Sequence, residues 1–508
     1  MKLSVLLEKS GMINSIRHRQ SGIDPDITAV VQDSRRVMPG ALFVAIKGAV
    51  SDGHDYVAEA IARGAAAVVV QRALDATIPV IQVPDTRSAF GCLVSAIYGN
   101  PSEFMNIIAL VGTNGKTTTA FLLEHILHSA GYEAGLIGTV ACRFRGREFP
   151  AGLTTPDADD LQRTLSRMQN SKVTHVVMEV SSHAICHKRI SGCVFSGGVF
   201  TNLSQDHLDF HGDMKTYWAV KKSFFTHYLS GVPDSWAVVN IDDAHGRELA
   251  EKLADIRVIT VGTSLDAHVH PKNVRFSDKG ISGEIVCPKG RISFDSSLVG
   301  RFNLENILCA FGAALALGIN PKTISAGIQS LGQVPGRLEP VSSKAGPRVY
   351  VDFAHTPEAL ENLLDAVSGI AAGRIICVFG CGGDRDRTKR PIMGRIAGQK
   401  ADLSIITSDN PRTERPDGII EEIVSGLSGL CLKHYEPDAL VNGFLQKGYA
   451  VVQDRKHAIF LAVRAAEADD VVVIAGKGHE TYQIIGREKH PFDDRMVAQM
   501  ALSGEDAA

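Results

Sequence analysis

The stretch "NIIALVGTNGKTTTAFLLEHILHSAG", residues 106–131, strings three local structures together. Ile107 to Val111 form an apolar run of strand length, Gly112 and Gly115 break it with a turn, and an amphipathic helix pattern follows from Lys116. Strand, glycine turn and helix in that order predict the opening unit of a parallel α/β sheet. The turn has the chemistry to hold a phosphate. Gly112 and Gly115 let backbone N–H groups face an anion, Lys116 adds a point charge, and the Thr117 hydroxyl can ligate Mg2+ at the helix N-terminus. Thr113, Asn114 and Thr118 complete the expected nucleotide-binding loop. The general phosphate-loop pattern asks for a further glycine where Leu110 stands, so this loop is a shortened form.

Downstream, "HVVMEV", "GGVFTNL" and "WAVVNI" read as further strands alternating with helices, which predicts a largely parallel sheet. Short alternating runs near 268–300 give way to a helix at "NLENILCAFGAALALG". After "VPGRLEP" the alternation resumes with "RVYVDFA", "RIICVFG", "DLSIIT" and "DVVVIAG". These strands end at Gly, Asp or His, and the carboxyl ends of open α/β sheets are where ligands bind. Upstream, "ALFVAIKG", "AAAVVVQ" and "IPVIQVP" predict a small α/β domain, and the helical stretch "RSAFGCLVSAIYGNP" ends at Asn100-Pro101. The expected architecture is α/β with three domains. These are a small N-terminal α/β domain (1–88), a central P-loop-type ATPase domain with a mostly parallel sheet (89–336) and a C-terminal Rossmann-like α/β domain (337–508).

A chain of 508 residues suits about three domains. Its 44% hydrophobic and 21% charged residues and net charge of -3 give no polyelectrolyte signal, so neither nucleic acid nor membrane is expected as a partner. The opening "MKLSVLLEKSGM" is too short an apolar stretch for a signal peptide, and Glu8 and Lys9 interrupt it. Nine cysteines without a CxxC pair fit reduced thiols in a cytoplasm. "HAICH", His183 to His187, has no second cysteine pair beside it, and no structural zinc is expected there.

Three residues outside the loop stand as metal-site candidates. Glu179 closes "HVVMEV", where a second Mg2+ carboxylate is often placed, although many strand-end acids merely face solvent. His207, in "NLSQDHLDFHGD", reads either as a ligand or as a satisfied structural histidine. In "MKTYWAVKKSFFTHY", Tyr217, Val220, Phe224, Phe225 and Tyr228 share a helical face that takes in Lys221. Burial there would favour the neutral amine, which can add carbon dioxide to become a metal-binding carbamate; the alternative is a packed stem with its ammonium reaching water.

With these motifs the chain resembles the Mur ligase family, the ATP-dependent amide-forming enzymes of peptidoglycan precursor synthesis. The resemblance rests on "DSRRVMPGALFVAIKG", "GTNGKTTT", "TTPD", "EVSSHAICHKRI", "FTNLSQDHLDFHGD", "GRFNLENILCA", "VPGRLEPV", "VDFAHTPEAL", "GCGGDRDRTKRPIM", "DNPRTE" and "AGKGHE", in family order over nearly the whole chain. It implies ATP as co-substrate and Mg2+ as cofactor. It also implies UDP-N-acetylmuramoyl-L-alanyl-D-glutamate and meso-diaminopimelate as the partners joined, through an acyl phosphate, by a cytoplasmic monomer. Lys116, Lys221 and His207 would be catalytic, with Thr117, Glu179, His207 and carbamylated Lys221 around the metal. Asn306, Arg337 and Asp352 would reach ATP, while Ser34, Thr154, Thr155, Ser181 and Arg189 would hold the UDP-sugar dipeptide.

The same resemblance gives Arg385, Asp409, Asn410, Pro411, Arg412, Gly476 and Glu480 to diaminopimelate. Diaminopimelate differs from lysine by a second, distal carboxylate, which a guanidinium fork can bind with two parallel hydrogen bonds. Taken alone, Arg412 in "SDNPRTERP" also reads as a solvated turn arginine. A lysine-adding ligase and a folylpolyglutamate synthase are the neighbouring alternatives, and a nucleotide-switch NTPase is the alternative from another class. "GCGGDRD" lacks the spaced dinucleotide fingerprint of an oxidoreductase.

Overall fold

The computed structural model describes residues 1–12, 18–20, 22–48, 50–149, 152–341 and 346–504. The strand Asn106–Val111 lies inside an eight-stranded sheet between His175–Glu179 and Gly197–Phe200, parallel to both. Trp236–Asn240 and Arg257–Val261 extend the parallel part on one side, and Ala134–Ile137 does so on the other. Ile107 to Val111 are all buried because helices cover both faces, which is why the run is continuously apolar. Helices Lys116–Ser129 and Arg301–Ala316 pack on one face through Leu122, Ile126, Ile307 and Phe311. Leu161 and Leu165 of helix Ala158–Asn170, with Phe224 and Phe225, fill the other.

The alternating runs near 268–300 form a three-stranded antiparallel sheet, His270–Ser277, Gly280–Cys287 and Gly290–Ser296. In the N-terminal five-stranded sheet, Ala41–Val44, Ala67–Val70 and Val80–Gln82 run parallel. Helix Thr86–Ile97 belongs to this layer, since Phe90, Leu93 and Val94 pack with Leu42, Val69 and Ile81. The expected division at 88/89 therefore cuts through a helix, and packing moves the joint to Asn100-Pro101. At the other joint, Val334 belongs to the central core and Leu338 to the C-terminal one.

The C-terminal sheet has seven strands, four of them anticipated from the sequence. Arg348–Asp352, Val471–Ala475, Ile375–Phe379 and Leu403–Ile406 are parallel neighbours, and Gly448–Val451 continues the series. Glu339–Val341 and Lys433–His434 form its edges, and a separate hairpin, Tyr482–Ile485 with Glu488–Pro491, follows the last long strand. Among the described residues, no helix is long and apolar enough to cross a membrane.

Candidate active site

The loop between Val111 and Lys116 is built on two close approaches. A Cβ at residue 112 would stand 1.9 Å from Thr201 Oγ1, and one at residue 115, where φ is +83°, would stand 2.2 Å from Asn306 Oδ1. Only glycine fits both places. Lys116 folds back on the loop, its Nζ donating to the carbonyls of Gly112 at 3.0 Å and Thr113 at 2.7 Å. Burial pushes its pKa down against the opposing pull of Glu179 and Asp206.

Thr117 Oγ1 lies 3.1 Å from both carboxylate oxygens of Glu179 and accepts from Arg337 Nη2 at 3.0 Å. Glu179 is buried at its strand end and accepts from the Thr139 backbone N–H at 2.9 Å and hydroxyl at 3.0 Å. Asp352 in turn accepts from the backbone N–H groups of Leu338 and Ala354. Its pKa is raised because burial outweighs the nearby Arg337.

Lys221 is 1% exposed, and its Nζ donates to the Gly112 carbonyl at 2.6 Å while lying 4.5 Å from the Tyr217 ring centroid. Burial and the neighbouring Lys116 lower its pKa well below the usual lysine value. The apolar face differs in detail from the sequence reading. Helix Met214–Ser223 passes into a wider π turn over Phe224–Leu229, so Val220 and Tyr228 are only half-buried and Trp218 is buried instead.

Asp206 gathers two imidazoles and one ammonium group. His207 Nε2 lies 3.2 Å from its carboxylate, His355 Nε2 3.8 Å and Lys389 Nζ 3.8 Å, the last two contributed by the C-terminal domain. Burial alone would raise the Asp206 pKa, but these neighbours together hold it below the usual carboxylate range. His207 is pushed down to about 3, chiefly by burial, so its imidazole is neutral and able to act as a ligand.

Among the described residues no three His, Cys, Asp or Glu side chains close on a cation-sized space. The donors at the loop are instead a hydroxyl and a carboxylate side by side, Thr117 and Glu179. This hard oxygen set fits Mg2+, which keeps few protein ligands and takes others from water and phosphate.

At the far end of the same cleft two guanidinium groups have no carboxylate within 4.0 Å among the described residues. Arg412, at φ +51°, donates from Nη1 to the carbonyls of Gly383 at 2.8 Å and Asn410 at 3.5 Å. Arg385 donates to the Asp384 carbonyl at 2.8 Å. Burial and the like charge of Arg385 lower the Arg412 pKa. Asn410 Nδ2 donates to Glu480 Oε2 at 2.9 Å, and fully buried Lys477 donates to Glu480 at 2.8 Å and Asn410 Oδ1 at 3.2 Å. Cationic and anionic groups thus face one cavity, the arrangement a zwitterion needs.

Three domain descriptions match this chain in succession: the Mur ligase family catalytic domain over residues 26–98, the Mur ligase middle domain over 110–314 and the Mur ligase glutamate ligase domain over 336–478. A UDP-N-acetylmuramoyl-L-alanyl-D-glutamate–2,6-diaminopimelate ligase of Geobacter metallireducens is 48% identical over 475 residues, 92% of this chain and 93% of that protein. The chain belongs to the Mur ligase family. The like-named ligase of Geobacter sulfurreducens is 46% identical over 95% of this Mur ligase and 96% of its own length. A solved structure of a ligase of that name, 31% identical, superposes with a TM-score of 0.66 over 94% of this chain and 95% of that one.

In this Mur ligase a single cleft of about 1530 Å3 is lined by Thr113 to Thr118, Glu179 and His207, and by Asn306, Arg337 and Asp352. Thr154 and Ser181 line it too, Thr154 bonded to Thr139 at 3.0 Å, and Arg385, Asp409, Asn410, Arg412, Gly476 and Glu480 complete the lining. Six residues expected at the site do not line it. Gly112, Lys221 and Pro411 lie just behind the lining, and Thr155 is wholly buried, its hydroxyl donating to the Glu179 carbonyl at 2.8 Å. Arg189 pairs with Asp157 at 2.9 Å, and Ser34 sits in the N-terminal domain, donating to Glu59 at 3.1 Å. Sequence reading missed Asp206, Lys389, His355 and Lys477. The first three meet only across domains, and Lys477 stands in "AGKGHE" beside residues that were singled out.

Proposed function

We propose that this chain is an ATP-dependent amide ligase that adds meso-diaminopimelate to UDP-N-acetylmuramoyl-L-alanyl-D-glutamate in peptidoglycan precursor synthesis. The observation that carries the reading is the sharing of one cleft by the phosphate loop and the two uncommitted guanidinium groups of Arg385 and Arg412. A diaminopimelate carboxylate supplies the anion that these arginines lack, and Glu480 with Asp409 offers the opposite charge to an ammonium group. Lysine would leave the half-buried Arg412 guanidinium without a carboxylate, which is the kind of penalty that yields discrimination.

In the reaction the γ-phosphoryl group of ATP passes to the free carboxylate of the D-glutamyl residue. The P–O bond to ADP breaks as the acyl phosphate forms. The incoming amine, having lost its proton, attacks the acyl carbon, and inorganic phosphate leaves from the tetrahedral intermediate. The Gly112–Thr118 loop and Lys116 orient the triphosphate, and Arg337 adds positive charge where the Thr117 hydroxyl meets Glu179. Mg2+ held by Thr117 and Glu179, with His207 and carbamylated Lys221 nearby, would neutralise phosphate charge. Thr154 and Ser181 line the same cleft and would hold the dipeptide carboxylate. The C-terminal domain shields the acyl phosphate from water through the contacts of His355 and Lys389 with Asp206.

Phosphate release from ATP, measured with the UDP-dipeptide and either meso-diaminopimelate or L-lysine, tests the reading. We expect release to require both acceptor and amine and to favour diaminopimelate strongly, with the preference collapsing in Arg412→Ala. Release without acceptor or amine would overturn the ligase reading, and equal use of both amines would overturn the role of Arg412.

A further inference from the structure

We propose that the hairpin Tyr482–Pro491 positions Arg412, and thereby sets the discrimination between amino acids with and without a distal carboxylate. The inference rests on the reading of the cleft's far end as the amino-acid site. Four hydrogen bonds tie the first hairpin strand to the segment 409–412. Gln483 Nε2 donates to the Asp409 carbonyl at 2.5 Å, and the Ile484 N–H donates to Asn410 Oδ1 at 2.9 Å. The Arg412 N–H donates to the Ile484 carbonyl at 3.1 Å, and the Gly486 N–H donates to the Arg412 carbonyl at 2.8 Å. Arg412 is therefore bonded on both sides of its own peptide unit by the hairpin.

That bonding bears on the guanidinium because the Arg412 backbone is left-handed, with φ +51°, a region disfavoured for a residue with a Cβ. Released from the hairpin, Arg412 would relax toward ordinary backbone angles and swing its side chain away from the Gly383 carbonyl. Dependence runs the other way as well. Glu488 to Pro491 are exposed along their whole strand, and Ile485 is 50% exposed, so the hairpin half-buries only Tyr482 to Ile484 of its first strand. Isolated two-stranded hairpins are marginal in water, and this one is held in place by the segment it positions. An anion on Arg412 would order both partners together, whereas lysine, which brings none there, would not.

The test uses the full-length protein with Gln483→Ala, which removes one tie, and Gly486→Pro, which removes the N–H bonded to Arg412 and, since proline cannot adopt the φ of +62° there, also breaks the hairpin turn. Phosphate release gives KM and kcat for diaminopimelate, for L-lysine, for ATP and for the UDP-dipeptide. In Gln483→Ala we expect the diaminopimelate KM to rise about tenfold, with kcat and the ATP and UDP-dipeptide KM values within about twofold. Gly486→Pro should erode the preference over lysine further. In the native protein, exchange of the Ile484 and Gly486 amides should slow with diaminopimelate and not with lysine. A preference that collapses in Arg412→Ala but survives in both hairpin variants would overturn this inference and leave the ligase reading intact. A rise shared equally by all substrates would overturn it too, as a general structural defect. A native enzyme without any preference would remove both readings of Arg412.

Discussion

Lys221 and Lys116 meet on one acceptor: the Gly112 carbonyl oxygen lies 2.6 Å from the Nζ of the first and 3.0 Å from that of the second. Two ammonium groups on one buried oxygen repel, and burial with that repulsion lowers the Lys221 pKa well below its usual value. A neutral Lys221 amine can add carbon dioxide, forming an N–C bond and losing a proton, and the product anion would attract Lys116. Incubation with isotope-labelled bicarbonate should place the label on Lys221, more so as pH rises and the amine is deprotonated. Lys221→Ala should lose ligation, with no rescue by bicarbonate, and near-normal turnover in that variant would end the carbamate reading.

Gly115 tests the loop. Gly115→Ala would place a Cβ 2.2 Å from Asn306 Oδ1 at φ +83°, and Asn306 in turn is held by Asn303 at 2.9 Å, so the clash has no easy outlet. We expect ATP binding to weaken at least tenfold, measured by calorimetry, with stability lower by about 1 to 2 kcal/mol. ATP affinity within error of native would show that the loop does not hold the nucleotide.

The bidentate pair of Arg455 and Asp494 is wholly buried, at 2.8 and 2.7 Å, and Arg455 also donates to the Ala475 carbonyl just before Gly476. Asp494→Ala leaves that guanidinium buried and uncompensated. The expected cost is about 3 to 5 kcal/mol in urea unfolding of the C-terminal domain, and a change below 1 kcal/mol would mean the site relaxes around the loss.

Acid should destabilise the fold through its buried histidines. Burial pushes His175, His211 and His479 each down to about 4. From the ordinary histidine value of 6.5 down toward 4, the unfolded chain binds protons that the native protein refuses, so stability falls as pH falls through that window. His175 sits against the Tyr132 ring at 4.2 Å and beside Thr174 and Asn106. A melting-temperature series should fall through this range for native protein and fall less steeply for His175→Gln; parallel curves would contradict the assignment.

Much of this was legible because the informative strands are buried on both faces. Runs such as Ile107–Val111 and Val471–Ala475 admit no polar residue, and the glycines, aspartates and asparagines at their ends stand out by contrast. The hairpin at 482–491 had no such contrast, since its second strand faces water throughout and its first is half-buried. The helix face around Lys221 was read at a fixed α period, which the π turn at Phe224 breaks. Asp206 carried no local sign of its role, since His355 and Lys389 reach it from the far side of the chain. The 88/89 division gave most of Thr86–Ile97 to the central domain, although its apolar face packs with the N-terminal sheet.

The seam between the central and C-terminal domains near the loop is polar. Asn114 donates to Glu358 at 2.7 Å, Gln205 to Asp386 and Thr388 at 3.1 and 2.8 Å, and Asp206 faces Lys389. Water can replace each of these contacts as they part. The balance of this seam is electrostatic, and dissolved salt acts on it directly. Turnover in this enzyme should therefore respond to ionic strength through the rate at which spent nucleotide escapes, even where the bond-making steps are unchanged.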